Sequence, residues 1–193
     1  MVELFQEMRR FFTGIVKMKR NIKFTDPEFQ RLLQYGVHRL CTSFEMAGFE
    51  IRFVGGCVRD LLMKRSPKDI DLSTTATPEQ MMSLFKKNKI RFFETGLSHG
   101  TLTVHMNGKD YEITTLRIDK ETFGRKANVE FTNDWQLDAA RRDLTINAMS
   151  LDKEGNLYDY FTGEQDLFEG KVNIVFLFLI FLFFYFLSLS LFA

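Results

Sequence analysis

The chain of 193 residues is poor in cysteine and proline: Cys41 and Cys57 are its two cysteines, and Pro27, Pro67 and Pro78 its three prolines. Two cysteines without a CxxC spacing exclude a disulfide scaffold and a structural zinc site of the Cys type, and they suit a reducing compartment. An excess of one charge is also lacking. Lys plus Arg number 26 against 25 Asp plus Glu, for a net charge of +1. Nothing in that balance advertises a nucleic-acid partner, so any such partner must be held by a local patch. The fingerprints GxGxxG and GxxxxGK[ST] are absent, which removes the Rossmann and P-loop readings. There are no internal repeats. The last absence is regional: residues 172–193 contain no Asp, Glu, Lys or Arg. The body therefore reads as soluble and globular, of a size for one domain, and its tail as something else.

Three segments are expected: a leader over 1–25, a globular body over 26–171 and an apolar tail over 172–193. In the leader, Leu4, Met8, Phe11, Ile15 and Met18 recur at helical spacing among Arg9, Arg10, Lys17, Lys19, Arg20 and Lys23. This is either a mitochondrial targeting helix or a packed leader helix; the early acids Glu3 and Glu7 and the lack of Ser weigh against targeting. No apolar h-region follows the charges, so it is not a secretory signal. The tail is unbroken apolar sequence from Ile174 to Leu187. Twenty helical residues span about 30 Å, a bilayer core, so one reading is a C-terminal membrane anchor. The other is a truncated gene model, because Phe, Leu, Ile, Val, Tyr and Ser are what a thymine-rich non-coding tract yields when translated.

Within the body, Asp26 and Pro27 open a helix predicted to run to about Ala47. Glu50–Val54 is a short strand ending in Gly55-Gly56, Val58–Met63 a helical turn or two, and Asp69–Ser73 a second strand. Thr77-Pro78-Glu79 starts a helix that ends near Asn88. Arg91–Glu94 is a weak strand and Gly96–Gly100 a turn. TLTVHM, Asn107-Gly108 and YEITTLR make a β-hairpin, since Asn-Gly suits the positive φ of a tight turn. Residues 118–128 are read as a polar loop, Val129–Thr132 as a strand, Trp135–Met149 as mostly helical and Leu151–Phe161 as a second hairpin. The expected class is α+β, with a mixed, largely antiparallel sheet flanked by helices.

The chemistry concentrates in Val54–Ser73, VGGCVRDLLMKRSPKDIDLS. Gly55 and Gly56 lie between a strand and a helix, where backbone without Cβ can approach phosphate oxygens and a helix start offers N–H donors. Arg59, one turn in, can fork onto a phosphate. Asp69 and Asp71, two apart on a strand, project on one face. Two anions about 5 Å apart repel by about 3 kcal/mol at an effective dielectric near 20, so the pair calls for a cation or good solvation. Mg²⁺ takes carboxylates plus substrate phosphates, which fits metal-assisted phosphoryl chemistry. Twelve residues separate Gly56 from Asp69, room for one short helix and a return to the sheet. Glu112 is the candidate third carboxylate, on the hairpin's second strand with Thr114 and Leu116 on its face. Two harmless surface Asp, a strand Glu paired with a Lys, and a solvated helix face at Arg141-Arg142-Asp143 remain the plain alternatives.

Gly-Gly, a spacer and Asp-hydrophobe-Asp resemble the signature of the polymerase-β-type nucleotidyltransferases. The fuller set is GGCVRD, KDIDLSTTATPEQM, HGT at 99–101, EITTLR at 112–117 and RRDLTINAM at 141–149. It resembles the head domain of class II tRNA nucleotidyltransferases, the CCA-adding enzymes, a head shared with bacterial-type poly(A) polymerases. The likeness runs from about Pro27 to Lys171. It implies that Asp69 and Asp71 bind two Mg²⁺ ions and that Glu112 helps position an attacking 3′-hydroxyl. It implies further that Gly55, Gly56 and Arg59 hold the triphosphate, and that Arg141, Arg142 and Asp143 contact the nucleotide and its ribose. The implied reaction adds CCA to tRNA 3′ ends from CTP and ATP with release of pyrophosphate. The implied compartments are mitochondrion, cytoplasm and nucleus, with membrane association only if the tail is genuine. The family's base-reading EDxxR motif is absent here, so base selection is expected to be impaired. Two alternatives stand beside this reading: a poly(A) polymerase head, and an inactive membrane-anchored nucleotide-binding remnant.

Overall fold

The structure is a computed structural model that describes residues 19–20, 26–119 and 129–175. The polar loop expected over 118–128 lies, beyond Asp119, outside the described residues, as do most of the leader and the tail from 176 onward. Among the described residues no helix is long and apolar enough to cross a membrane.

Lys19–Arg20 form a short strand, β1, rather than the end of a leader helix. The first helical region begins where expected: the Asp26 side chain caps Pro27–Leu32 (α1) by accepting from the Glu28 N–H. A π-helical turn at Leu33–Val37, which contains Gly36 at φ +90°, joins it to α2, His38–Met46. Then follow β2 (Ile51–Val54), α3 (Gly56–Leu62), β3 (Asp71–Thr74) and α4 (Pro78–Lys87). A capping box starts α4. Thr77 accepts from the Gln80 N–H while the Gln80 side chain accepts from the Thr77 N–H. The hairpin region holds β4 (Phe92–Gly96), β5 (Thr101–Met106) and β6 (Lys109–Thr115). Asn107 and Gly108 turn between β5 and β6 with φ of +52° and +75°, the positive pair that a two-residue hairpin loop requires. Next come β7 (Arg117–Asp119), β8 (Val129–Phe131), α5 (Trp135–Ala140), β9 (Ser150–Leu151), β10 (Leu157–Tyr158) and α6 (Gly163–Phe168).

The main sheet has the order β1-β10-β9-β2-β3-β6-β5-β4, and β7 pairs with β8 in a separate ribbon. All described pairs are antiparallel except β3 with β6. One face of the sheet is the core. Phe53, Leu72, Ile113 and Val104 meet Phe29, Leu40 and Phe44 from α1 and α2, and Met81 and Phe85 from α4, all fully buried. Phe29 packs edge-on against Phe53 and Phe44 against Phe85, with ring centres 5.9 and 5.8 Å apart. The opposite face is divided. Its β2–β9 side is covered by Trp135 of α5, which packs with Val54 and Leu116. Its β3–β6–β5 side carries polar side chains.

Helical periodicity misleads over Trp135–Met149, where the helix stops at Ala140. The chain beyond it is claimed by another segment. Leu144 bridges Ile174, the Thr145 N–H donates to the Asn173 carbonyl, and the Val175 N–H donates to the Asp143 carbonyl. These strand-like bonds, and the Asp143 side chain accepting from the Leu144 N–H, are incompatible with a continuing helix.

Candidate active site

The site is built at the edge where β3 and β6 begin to run side by side. Because they are parallel and in register, Asp71 lies directly opposite Glu112. Asp110, Glu112 and Thr114 alternate outward while Tyr111, Ile113 and Thr115 are buried. Leu116, expected on Glu112's face, is instead fully buried beyond the end of the strand. Asp69 does not belong to β3, which starts at Asp71; it sits in the bend just before. The two aspartates nonetheless share one cavity of 470 Å³, lined by Lys68, Asp69, Ile70, Asp71, Lys109, Asp110 and Glu112. The bend achieves what strand alternation was expected to do.

Gly55 lies at this corner with φ +71° and ψ −140°, a conformation open essentially to glycine alone. A Cβ there would stand 3.3 Å from Arg142 Nη1 and 4.0 Å from Asp71 Oδ2. The glycine corner, one aspartate and one arginine therefore meet in a few ångströms. Gly56 opens α3 and lies 3.4 Å, at an added Cβ, from the Arg59 guanidinium. Arg59 is held rather than free to swing. Its Nε and Nη2 donate to Asp60, and its Nη1 donates to the Asn147 side chain at 3.0 Å.

Arg141, Arg142 and Asp143 do not form a solvated helix face. Asp138, almost fully buried on α5, gathers the two arginines. Its Oδ1 accepts from Arg141 Nε at 2.9 Å and from the Arg117 backbone N–H at 3.1 Å, and its Oδ2 accepts from Arg142 Nη2 at 3.4 Å. The reading of the sequence missed Asp138; its i, i+3 and i, i+4 spacing to the two arginines was the available signal. It also missed Arg52, a charged residue in a strand that is buried throughout. Arg52 lies 3.9 Å from the Trp135 ring centre and 3.6 Å from that of Tyr158, and it pairs with Glu50 at 2.5 Å. The sandwich fastens α5, and with it the arginines, to the strand that ends in the glycine corner.

Electrostatics follow from this crowding. Burial raises the pKa of Asp71 above the ordinary carboxylate value, and the charges of Glu112 and Asp69 raise it further, while Arg142 opposes them. Burial lowers the pKa of Arg142, Arg141 adds to that, and Asp138 and Asp71 restore part of it. Cys57 lies behind the site with Sγ 3.9 Å from the Asp71 carbonyl oxygen, and burial pushes its thiol up to about 12, so it is no nucleophile. Among the described residues, no three His, Cys, Asp or Glu side chains converge as a ready-made metal cage. Mg²⁺ does not need one, since it binds through one or two carboxylates plus substrate phosphates. The hard oxygen donors of Asp69 and Asp71, on a shared cavity and with mutual repulsion to relieve, fit a divalent cation.

Comparisons with known proteins show what the chain resembles. Mitochondrial CCA tRNA nucleotidyltransferase 1 of Homo sapiens is 50% identical over 155 residues, covering 80% of this chain and 36% of that protein. The Danio rerio protein of the same name is 50% identical over 149 residues, 77% of this chain and 35% of its own length. The chain thus spans about a third of the length of the curated relatives it matches. Among solved structures, the Bacillus stearothermophilus CCA-adding enzyme in complex with CTP superposes with a TM-score of 0.65 at 34% identity, over 77% of this chain and 34% of that one. The Thermotoga maritima CCA-adding enzyme complexed with tRNA gives 0.56 at 25% identity, over 80% and 34%. Residues 51–173 match the poly A polymerase head domain, and this span contains the glycine corner, the carboxylates and the held arginines, so the chain belongs to that family.

Proposed function

We propose that this chain is the head of a template-independent RNA nucleotidyltransferase that adds CCA to tRNA 3′ ends from CTP and ATP. The observation that carries the proposal is the meeting of Asp71, Glu112, Gly55 and Arg142 at one corner, in a chain whose named relatives are CCA-adding enzymes. Those names favour CCA addition over the poly(A) polymerase reading. The vertebrate relatives are named mitochondrial, so the compartment proposed is the mitochondrion.

The chemistry is in-line attack of an RNA 3′-hydroxyl oxygen on the α-phosphorus of the incoming nucleotide. An O–P bond forms, the bond to pyrophosphate breaks, and the hydroxyl proton is lost. Asp69 and Asp71 are the ligands for two divalent ions, proposed as Mg²⁺. When bound, one would lower the pKa of the hydroxyl and the other would neutralise charge on the departing pyrophosphate. Glu112, level with Asp71, orients the 3′-hydroxyl. The bare backbone of Gly55 and Gly56 lets the triphosphate approach closely, with Arg59, ion-paired to Asp60 and bonded to Asn147, held beside it. Arg141, Arg142 and Asp143 contact the nucleotide and its ribose, with Asp138 holding the arginines in position before substrate arrives.

The test is extension of a tRNA lacking its CCA end, followed by pyrophosphate release and by product length with CTP, ATP or both. CMP incorporation that depends on Mg²⁺ and disappears in Asp71→Asn supports the proposal. Tailing with ATP alone favours the poly(A) polymerase reading. Absence of incorporation and of CTP binding contradicts both.

A further inference from the structure

The open side of the sheet's outer face carries an aromatic side chain that the proposed chemistry does not use. The strand registers place Asp71, Glu112, Thr103 and Phe93 in a single row across β3, β6, β5 and β4. With neighbouring strands about 4.8 Å apart, Phe93 stands about 14 Å from Asp71 on the face that bears the carboxylates. The core does not demand this phenylalanine. Its neighbour Phe92 points the other way and packs on Phe85, with ring centres 5.5 Å apart, whereas Phe93 is 44% exposed on the edge strand. Between it and the acids lies a strip of hydroxyls, with Thr95 bonded to Thr103 at 2.7 Å and Thr101 to Thr114 at 2.9 Å. Arg91, two residues earlier and also exposed, holds its guanidinium carbon 5.1 Å from the Phe93 ring centre.

An exposed ring beside a cation, in line with an anionic reaction centre, has the chemistry of a single-strand contact. Every base has a π-face to stack on an aromatic ring, and a guanidinium meets the phosphate backbone. We infer that Phe93 and Arg91 form a platform for a base of the RNA primer, set back from the reacting 3′ end. The acids occupy the reacting end of the row, and the distance along it places the stacked base inside the primer rather than at its terminal nucleotide. Half-buried Thr101 and Thr114, with Thr103 buried beneath Thr95, floor the strip between without adding charge that would repel the backbone. The inference rests on the RNA nucleotidyltransferase reading and gives that site a primer subsite.

The experiment uses the full chain and a short single-stranded RNA carrying 2-aminopurine at the second or third nucleotide from its 3′ end. CTP binding is measured in parallel without RNA. Stacking quenches 2-aminopurine, so wild type is expected to quench it on binding. Phe93→Ala is expected to weaken RNA binding, and the KM for primer, by about tenfold. It should also remove the quenching while leaving the KM for CTP unchanged. Phe93→Trp should restore both binding and quenching. Arg91→Ala should weaken binding and flatten its salt dependence. An unquenched wild-type complex, or a Phe93→Ala chain that binds RNA as wild type does, overturns the platform. So does Phe93→Ala losing RNA and CTP affinity equally. A wild-type chain that fails to bind CTP removes the nucleotidyltransferase reading, and the fluorescence still decides whether RNA stacks on Phe93.

Discussion

The two sides of the sheet's outer face handle charge in opposite ways. Under α5, charged groups are wholly or half-buried and given partners: buried Arg52 lies between two rings and on Glu50, and half-buried Arg141 and Arg142 lie on buried Asp138. Across β3 and β6, like charges face one another in a cavity, and Asp71 is held against its own ionisation by burial, Glu112 and Asp69. The covered side spends packing to fix geometry, and the open side keeps unfavourable charge in place for a substrate and its cation to relieve. Gly55 is the joint between them, within reach of both Arg142 and Asp71.

That contrast can be broken from either side. The largest expected effect is on the covered side. Asp138→Ala leaves two half-buried guanidinium groups and the Arg117 N–H without their acceptor, which costs about 3 kcal/mol of stability in urea unfolding. Nucleotide addition should fall with it. On the open side, Asp71→Asn should lower the addition rate by about 10²–10³-fold and leave the fold at least as stable as wild type, because it removes a repelled charge. Gly55→Ala should cost about 1–3 kcal/mol from backbone strain and weaken triphosphate binding, since its new methyl meets Arg142. The smallest effect is a pH dependence. A carboxylate with a raised folded pKa leaves the folded state holding more protons than the unfolded one between the two values. Stability measured without divalent ions should therefore fall as pH rises from the ordinary carboxylate range through the folded pKa of Asp71, and the Asp71→Asn chain should lack that fall.

Local signals in the sequence were legible and distant partnerships were not. Asn107-Gly108 fixes its hairpin because positive φ at both residues is a property of that dipeptide. Asp26 and Thr77 likewise announce their helices through caps made within three residues. The facing of Asp71 and Glu112 depends on a parallel pairing between strands far apart in the chain, which alternation within either strand cannot reveal. Helical spacing over Trp135–Met149 reflects burial on two separate elements, and only the pairing with Asn173 and Ile174 shows that the helix must stop. Gly55, Gly56, Arg59, Asp69 and Asp71 were recognisable as a group because they crowd into one short segment. Asp138 and Arg52 were passed over because a single charge in an apolar element reads as surface until its buried partner is seen.

The most direct test of the account is calorimetric titration of CTP into the wild-type and Asp71→Asn chains, with Mg²⁺ and with EDTA. CTP is expected to bind wild type substantially tighter with Mg²⁺, and this gain is expected to be lost in Asp71→Asn, whose unfolding midpoint is not lowered. Equal CTP affinity in all four titrations would contradict it.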